Sequence, residues 1–415
     1  MQAITGATLI DGTGRDPVQN ATVLIGDDGR ITSVGQSDQL PRGVEVIEVS
    51  GMTVMPGLID CHVHLMIVTD SMQTLALKSP SIRVLEAADN ARRTLDAGIT
   101  SVRDAGGTPA GVKAAIARGL IPGPRMRIAV GVLTQTGGHG DFLLPGGMNH
   151  PFIPPTGTLE HPGTICDGPE DVRRSVREQL RAGADFIKMC TTGGVLSPGD
   201  ELDATQFTRE EISVMVYEAA AAGKTCMAHA MGPEGIRNAV EFGVESIEHG
   251  FYIDEETAQV MSTRGAFLVP TFQAPRAALR YEAANPGSML PQSVEKCRAV
   301  MADQANNFRI AVEAGVKVAM GTDAGVGVHG ENAEELRLLV EEGGLSPMEA
   351  IVVGTRNAAE CAHIDGDVGT LVPGKLADLL VVDGDPLTDI SVLEDRRNLK
   401  IIMQGGVSYK DVLRG

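Results

Sequence analysis

Hydrophobic and polar positions fall into three regimes along the chain. From residue 1 to about 56, short alternating runs lie between turn residues: Ala7–Ile10, Ala21–Ile25, Ile31–Val34 and Val44–Val49. A period of two marks strands with one buried face, and Asp27-Asp28-Gly29 reads as a hairpin turn. The far end repeats the pattern, with strands at Asp378–Asp383 and Leu399–Met403 and a turn at Gln404-Gly405-Gly406. Neither end has enough strand to complete a sheet alone. The two are therefore expected to pair into one small β-sandwich, residues 1–56 with 366–415.

Between them, residues 57–365 alternate strands with helices. A local signature recurs at Ala97-Gly98, Ala182-Gly183, Ala222-Gly223, Phe242-Gly243, Arg264-Gly265 and Ala314-Gly315. Glycine just past a helix end is the usual left-handed cap, and a strand follows each one. Those strands are Ile99–Arg103, Asp185–Met189, Lys224–His229, Glu245–His249, Ala266–Val269 and Lys317–Met320. Val54–His64 and Met126–Leu133 bring the number to eight, the count of an α/β (β/α)8 TIM barrel. Residues 135–168 break the rhythm with Gly, Pro and three histidines, His139, His150 and His161. A long irregular stretch after the third strand lies at the active face of such a barrel, as a lid or binding loop or as a disordered insertion.

At 415 residues and 43% hydrophobic content, the chain can bury one large core and a smaller one. Its net charge of -19 opposes nucleic acid and anionic membrane surfaces. No apolar run is long enough to span a bilayer. The six cysteines form no C-x-x-C, and Cys61, Cys190 and Cys226 fall in strands as buried thiols, which suits a reducing compartment. A cytoplasmic protein is expected, and a leader removed earlier is compatible with the same sequence.

The chemistry gathers at the C-terminal ends of the barrel strands, where such folds carry their active sites. His62 and His64 are two apart on one strand and so face one side together. His229 and His249 end two further strands, and Asp323 follows the last in Gly321-Thr322-Asp323. Each alone reads equally as a core histidine or a turn aspartate. Together they form a set of metal ligands at one end of the fold. Lys188 lies between Ile187 and Met189. A buried ammonium is costly, and burial lowers its pKa. The neutral amine can add carbon dioxide to become a carbamate; equally, the lysine can snorkel or pair with an acid.

Pro56–His64, Lys188, His229-Ala230, Glu248-His249-Gly250, Gly321-Thr322-Asp323 and the closing Gly374–Leu379 resemble the amidohydrolase superfamily nearly end to end. Thr134–Gly140, Lys188–Gly194 and His229–Gly235 are similar to its prolidase-like group, which includes ochratoxin-degrading amidases. The resemblance implies two zinc ions, other divalent metals being possible. His62, His64 and Asp323 would hold one and His229 and His249 the other, with N6-carboxylysine at Lys188 and a hydroxide between them. It also implies that Asp323 takes a proton and delivers it to the leaving amine, and that His139 hydrogen-bonds the carbonyl oxygen. His329 would line the pocket or be a plain loop histidine. Prolidase-like relatives often carry Tyr where this chain has Met231. Met is flexible and apolar, which moves the expected substrate from Xaa-Pro dipeptides toward amides or dipeptides releasing a hydrophobic amino acid, ochratoxin A among them. A homo-oligomer is expected from the resemblance only. The competing readings are an Xaa-Pro dipeptidase, a mononuclear deaminase or imidazolonepropionase-like hydrolase, and a non-catalytic scaffold.

Overall fold

A computed structural model describes every residue except 37–39, 69, 71, 144–146, 148–156, 198 and 415. The chain folds into two compact units: Met1–Asp60 with Arg92–Val102 and Gly330–Gly415, and Cys61–Ala91 with Arg103–His329. Among the described residues no helix is long and apolar enough to cross a membrane.

The N-terminal stretch supplies β1 (Gln2–Leu9), β2 (Val18–Ile25), β3 (Ile31–Gly35), β4 (Glu45–Glu48) and β5 (Thr53–Pro56). The middle of the chain supplies β6 (Leu58–Val63), β7 (Ile99–Asp104), β8 (Arg125–Ile128), β9 (Val132–Leu133), β10 (Ile187–Cys190), β11 (Cys226–Ala230), β12 (Ser246–His249), β13 (Phe267–Val269) and β14 (Lys317–Val318). The C-terminal stretch adds β15 (Leu379–Val382), β16 (Leu399–Gln404) and β17 (Val407–Asp411).

Both ends of the chain share one eight-stranded sheet, ordered β17-β16-β15-β5-β1-β2-β3 with β4 also on β1. β4 and β5 lie parallel to successive halves of β1, and β15 closes antiparallel onto β5. Ile4, Val23, Ile25, Val54, Leu379, Val381 and Ile401 bury one another on this sheet, the alternate positions that period-two patterning selects. β17 escaped the pattern reading. Its residues Val407-Ser-Tyr-Lys-Asp411 have no apolar face, and none of them is fully buried; it is an edge strand made by the Gly405-Gly406 turn.

The strand expected as one piece over Val54–His64 is two. β5 belongs to the terminal sheet and β6 to a three-stranded sheet ordered β6-β7-β8. The division falls at Gly57, whose N–H goes to the Asp378 carbonyl while the next N–H, of Leu58, goes to Gly98. The backbone passes so close to Thr100 that a Cβ at Gly57 would stand 2.3 Å from its Oγ1. The strand expected over Met126–Leu133 also divides. β8 stays with β7, and β9 joins a six-stranded parallel sheet ordered β14-β13-β12-β11-β10-β9. The break is at Val130, whose φ of 67° no strand can accommodate.

Helices alternate with these strands, including Pro80–Asp96, Ala110–Ala117, Pro169–Arg181, Arg209–Ala221, Pro233–Glu241, Glu255–Arg264, Gln273–Ala284 and Pro291–Glu313. All six glycines of the recurring signature have left-handed φ, between 67° and 100°, the conformation that ends a helix and redirects the chain. After β14 the chain lies beside β6: Cys61 N–H donates to the Met320 carbonyl at 2.8 Å, Asp323 N–H to His62 at 2.7 Å and His64 N–H to Ala324 at 2.7 Å. The six cysteines are buried, and none forms a disulfide.

Gly57→Val places a branched side chain against buried Thr100. A loss of about 1–3 kcal/mol is expected, read as a lower denaturant midpoint at unchanged m-value; an unchanged midpoint would show that the passage tolerates a side chain.

Candidate metal centre and active site

His62, His249 and Asp323 present ligand atoms that all lie within 4.8 Å of one another. They come from different elements. His62 is on β6, His249 ends β12 and Asp323 follows β14. His249 and Asp323 have φ of 73° and 58°, and Thr271 beside them has 48°. A left-handed backbone is unfavourable for these residue types, and its concentration at strand ends accompanies functional sites. Here it turns the side chains inward past the last sheet hydrogen bond.

Each imidazole is held through one ring nitrogen. His62 Nδ1 meets Glu248 Oε2 at 2.8 Å, His64 Nδ1 the Gly106 carbonyl at 2.8 Å, His249 Nδ1 the Thr271 hydroxyl at 2.7 Å and His229 Nε2 the Gly193 carbonyl at 3.0 Å. A carbonyl or carboxylate partner takes the N–H and leaves the second nitrogen with its lone pair. The Nε2 atoms of His62 and His64 stand 3.5 and 3.4 Å from Asp323 Oδ1. The His229 and His249 rings are 4.6 Å apart, and those of His62 and His249 5.0 Å. Lone-pair acceptors gathered at this spacing make a cation's environment. Burial holds His62, His229 and His249 well below the ordinary imidazole pKa and brings His64 down to about 4. All four rings are therefore neutral, the ligating form, across the physiological range. The donor set fits a divalent metal.

The three residues that gather most tightly come from both of the expected ligand sets, so the two sets share one floor. Lys188 is buried beside them at 3% exposure, and its Nζ makes no hydrogen bond among the described residues. Burial lowers its pKa. Sequence left open whether it pairs with an acid; no such contact is made.

A cleft of about 850 Å³ opens over this group. His139 and Met231 line it. His329 is not among the lining residues; its Nε2 lies 3.2 Å from the His64 carbonyl oxygen. The His139 ring stacks on His229 at 4.0 Å. Of the 135–168 stretch, His150 lies outside the described residues, and the base is stitched by Thr134 N–H to Thr164 and Cys166 N–H to Thr134.

Two supporting groups escaped the sequence reading. Glu248 is fully buried and joins Arg103 Nη2 at 2.8 Å, Ser246 Oγ at 2.7 Å and His62. Asp104 accepts from the N–H groups of Leu65 and Gly106 and from the Thr108 hydroxyl, so it fixes the Gly106 carbonyl that orients His64. Burial pushes its carboxyl up to about 7. A signal existed for both: charged residues directly after an apolar one near the end of a strand, at Val102-Arg103-Asp104 and Ile247-Glu248.

The match to the model of the amidohydrolase family runs over residues 53–408. The chain belongs to the amidohydrolase family. It is 35% identical to ochratoxinase of Aspergillus niger, an alignment covering 98% of this chain and 86% of that protein. The crystal structure of the A. niger ochratoxinase superposes with a TM-score of 0.87 at 33% identity, over 99% of this chain and 95% of the other. A Xaa-Pro dipeptidase crystallised with methionine in its active site gives 0.90 at 32% identity, over 99% of both chains. This amidohydrolase is a metal-dependent enzyme acting on C–N bonds, with the α/β fold of its family and a sheet built from both termini.

Arg103→Met would leave the buried Glu248 carboxylate short of its cationic partner. A loss of about 3–5 kcal/mol is expected in a denaturant melt; a loss under about 1 kcal/mol would show the pair to be dispensable. Lys188→Met removes an unbonded buried amine, so the chelated protein should melt at the same or a higher temperature. A lower Tm would mean that the amine is stabilised after all.

Proposed function

We propose that the enzyme hydrolyses an amide bond to release a C-terminal hydrophobic amino acid, with N-acyl amino acids, dipeptides and ochratoxin A as its substrates. The observation that carries this reading is the apolar wall of the cleft beside the ligand cluster. Val195, Leu196, Met231, Phe251, Ala278 and Cys297 line the cleft there. Met231 packs into an apolar cluster with Val195, Phe251, Ala278 and Cys297. Such a wall seats an aromatic or aliphatic side chain and excludes water from it.

In this reading His62, His64 and Asp323 would hold one zinc ion and His229 and His249 the second, with Lys188 contributing as a carbamate, formed as its neutral amine adds carbon dioxide and releases a proton. Once bound, the metals would acidify a water toward neutrality and polarise the carbonyl. Asp323 takes a proton and passes it to the leaving amine. Its seat against the His62 backbone fixes where that proton is held. His139, on the loop after β9, meets the carbonyl oxygen and keeps the scissile group facing Asp323. Met231 and Phe251 close on the departing side chain. The same proposal takes residues 57–365 as one closed (β/α)8 barrel, supported by the Cys61–Met320 hydrogen bond, residues 1–56 with 366–415 as the sandwich, and a homo-oligomer as the assembly.

An Xaa-Pro dipeptidase is the second reading. It is favoured by the likeness to the methionine-bound dipeptidase and to a prolidase crystallised with N-methylphosphonate-L-proline, 35% identical with a TM-score of 0.89. Release assays separate the two. Phenylalanine should appear from N-acyl-phenylalanines and ochratoxin A at a kcat/KM more than about tenfold above proline release from Xaa-Pro dipeptides, and chelation should abolish it. Preference for proline would establish the second reading; hydrolysis of neither class would overturn both.

A further inference from the structure

We propose that Ser197, Asp200 and Lys296 form a positioning network that sets the His139 ring at the cleft. The proposal rests on the reading of His139 as a substrate contact. His139 stands in a loop, and loops do not hold a side chain to the tolerance that chemistry needs unless something fixes them. Here the ring is fixed from several sides. One contact is its stack on His229 at 4.0 Å. Another is the Gly194 backbone, where a Cβ would come within 2.2 Å of Cε1. Nδ1 lies 2.8 Å from Ser197 Oγ, and the backbone N–H donates to Gln206 Oε1 at 2.9 Å.

Ser197 Oγ links the ring to Asp200: it touches Nδ1 on one side and lies closest to Asp200 Oδ1 on the other. Nδ1 is thus engaged, and Nε2 is the nitrogen left to meet the substrate. Asp200 Oδ2 accepts from Gln206 Nε2 at 3.1 Å, the same glutamine that holds the His139 backbone.

Lys296 anchors the set from the helix Pro291–Glu313. Its Nζ donates to the carbonyls of Gly194 at 3.0 Å, Ser197 at 3.1 Å and Asp200, and stands 3.4 Å from Asp200 Oδ1. The two charged side chains are 14% and 7% exposed. Ions so far from water are kept only where every bond is made. Among the described residues, every bond of the ammonium goes to the segment that carries Ser197 and Asp200.

The test uses the full-length, metal-loaded enzyme with an N-acyl-phenylalanine, and the variants Ser197→Ala, Asp200→Asn, His139→Ala and the Ser197→Ala/His139→Ala double. The single network variants should lower kcat by about tenfold to hundredfold with KM changed less than about threefold. Metal content should not change, and Tm should not change in Ser197→Ala; Asp200→Asn, which leaves Lys296 short of its anion, should lower Tm. Ser197→Ala should cost nothing further when His139 is already alanine. Nitrogen-15 spectra of histidine-labelled protein should show the His139 Nδ1 resonance shifted by its bond to Ser197, and that shift should disappear in Ser197→Ala. An undiminished kcat in Ser197→Ala, or a loss that multiplies with that of His139→Ala, overturns the proposal. Should His139→Ala itself leave kcat unchanged, the substrate role of His139 fails instead. The spectra then decide the network alone, and an unaltered ring signature in Ser197→Ala sinks it.

Discussion

The Glu248 carboxylate is the point on which the site depends. It is an anion with no access to solvent, held by Arg103, Ser246 and His62. Burying such a charge is costly unless it is paired and fully hydrogen-bonded. These partners come from β7, β12 and β6, so meeting the electrostatic demand of one side chain brings three strands to a single register. The outcome reaches the chemistry directly, because the carboxylate chooses which nitrogen of His62 bears the proton. The imidazoles of His64 and His229 are governed the same way, through the Gly106 and Gly193 carbonyls, while the Thr271 hydroxyl holds the His249 ring in place without choosing its tautomer. The site is thus oriented from behind, by groups that never face the cleft.

Orientation from behind has a cost in backbone geometry. His249, Thr271 and Asp323 all adopt left-handed φ, and each such residue costs about 1–3 kcal/mol. The compensation is local. Asp323 is tied by its own N–H to the carbonyl of His62, and Thr271 is tied to His249 through its hydroxyl. The result is a rigid floor of lone pairs beneath a wall that is apolar and less specific. In the proposed reading the wall selects the substrate by shape while the floor supplies the reaction, and Met231 and Asp323, both lining the cleft, stand for the two demands.

Much of this was legible in the chain, for identifiable reasons. The six helix-end glycines announce themselves because only a residue without a Cβ takes the left-handed cap cheaply. The strand-end histidines announce themselves because four imidazoles and a lysine inside apolar runs have few other uses. What failed to show was anything depending on a partner far away in sequence. The split of the first long strand at Gly57 follows from Thr100. Glu248 looked like an ordinary neighbour of His249 until Arg103 and His62 were placed around it. Nor does the stretch around His329 contain the His64 carbonyl against which its Nε2 lies.

Local patterning determined the element order, the pairing of the two chain ends and the residue types that gather at one end of the strands. These depend on periodicity and on intrinsic backbone preference, both readable within a few residues. Tertiary structure alone decided which nitrogen His62, His64 and His229 offer, that Lys188 is buried without a hydrogen bond among the described residues, and that His139 is backed by Ser197. Those outcomes are hydrogen-bond and desolvation balances among groups tens to hundreds of residues apart, and no property of a single stretch contains them.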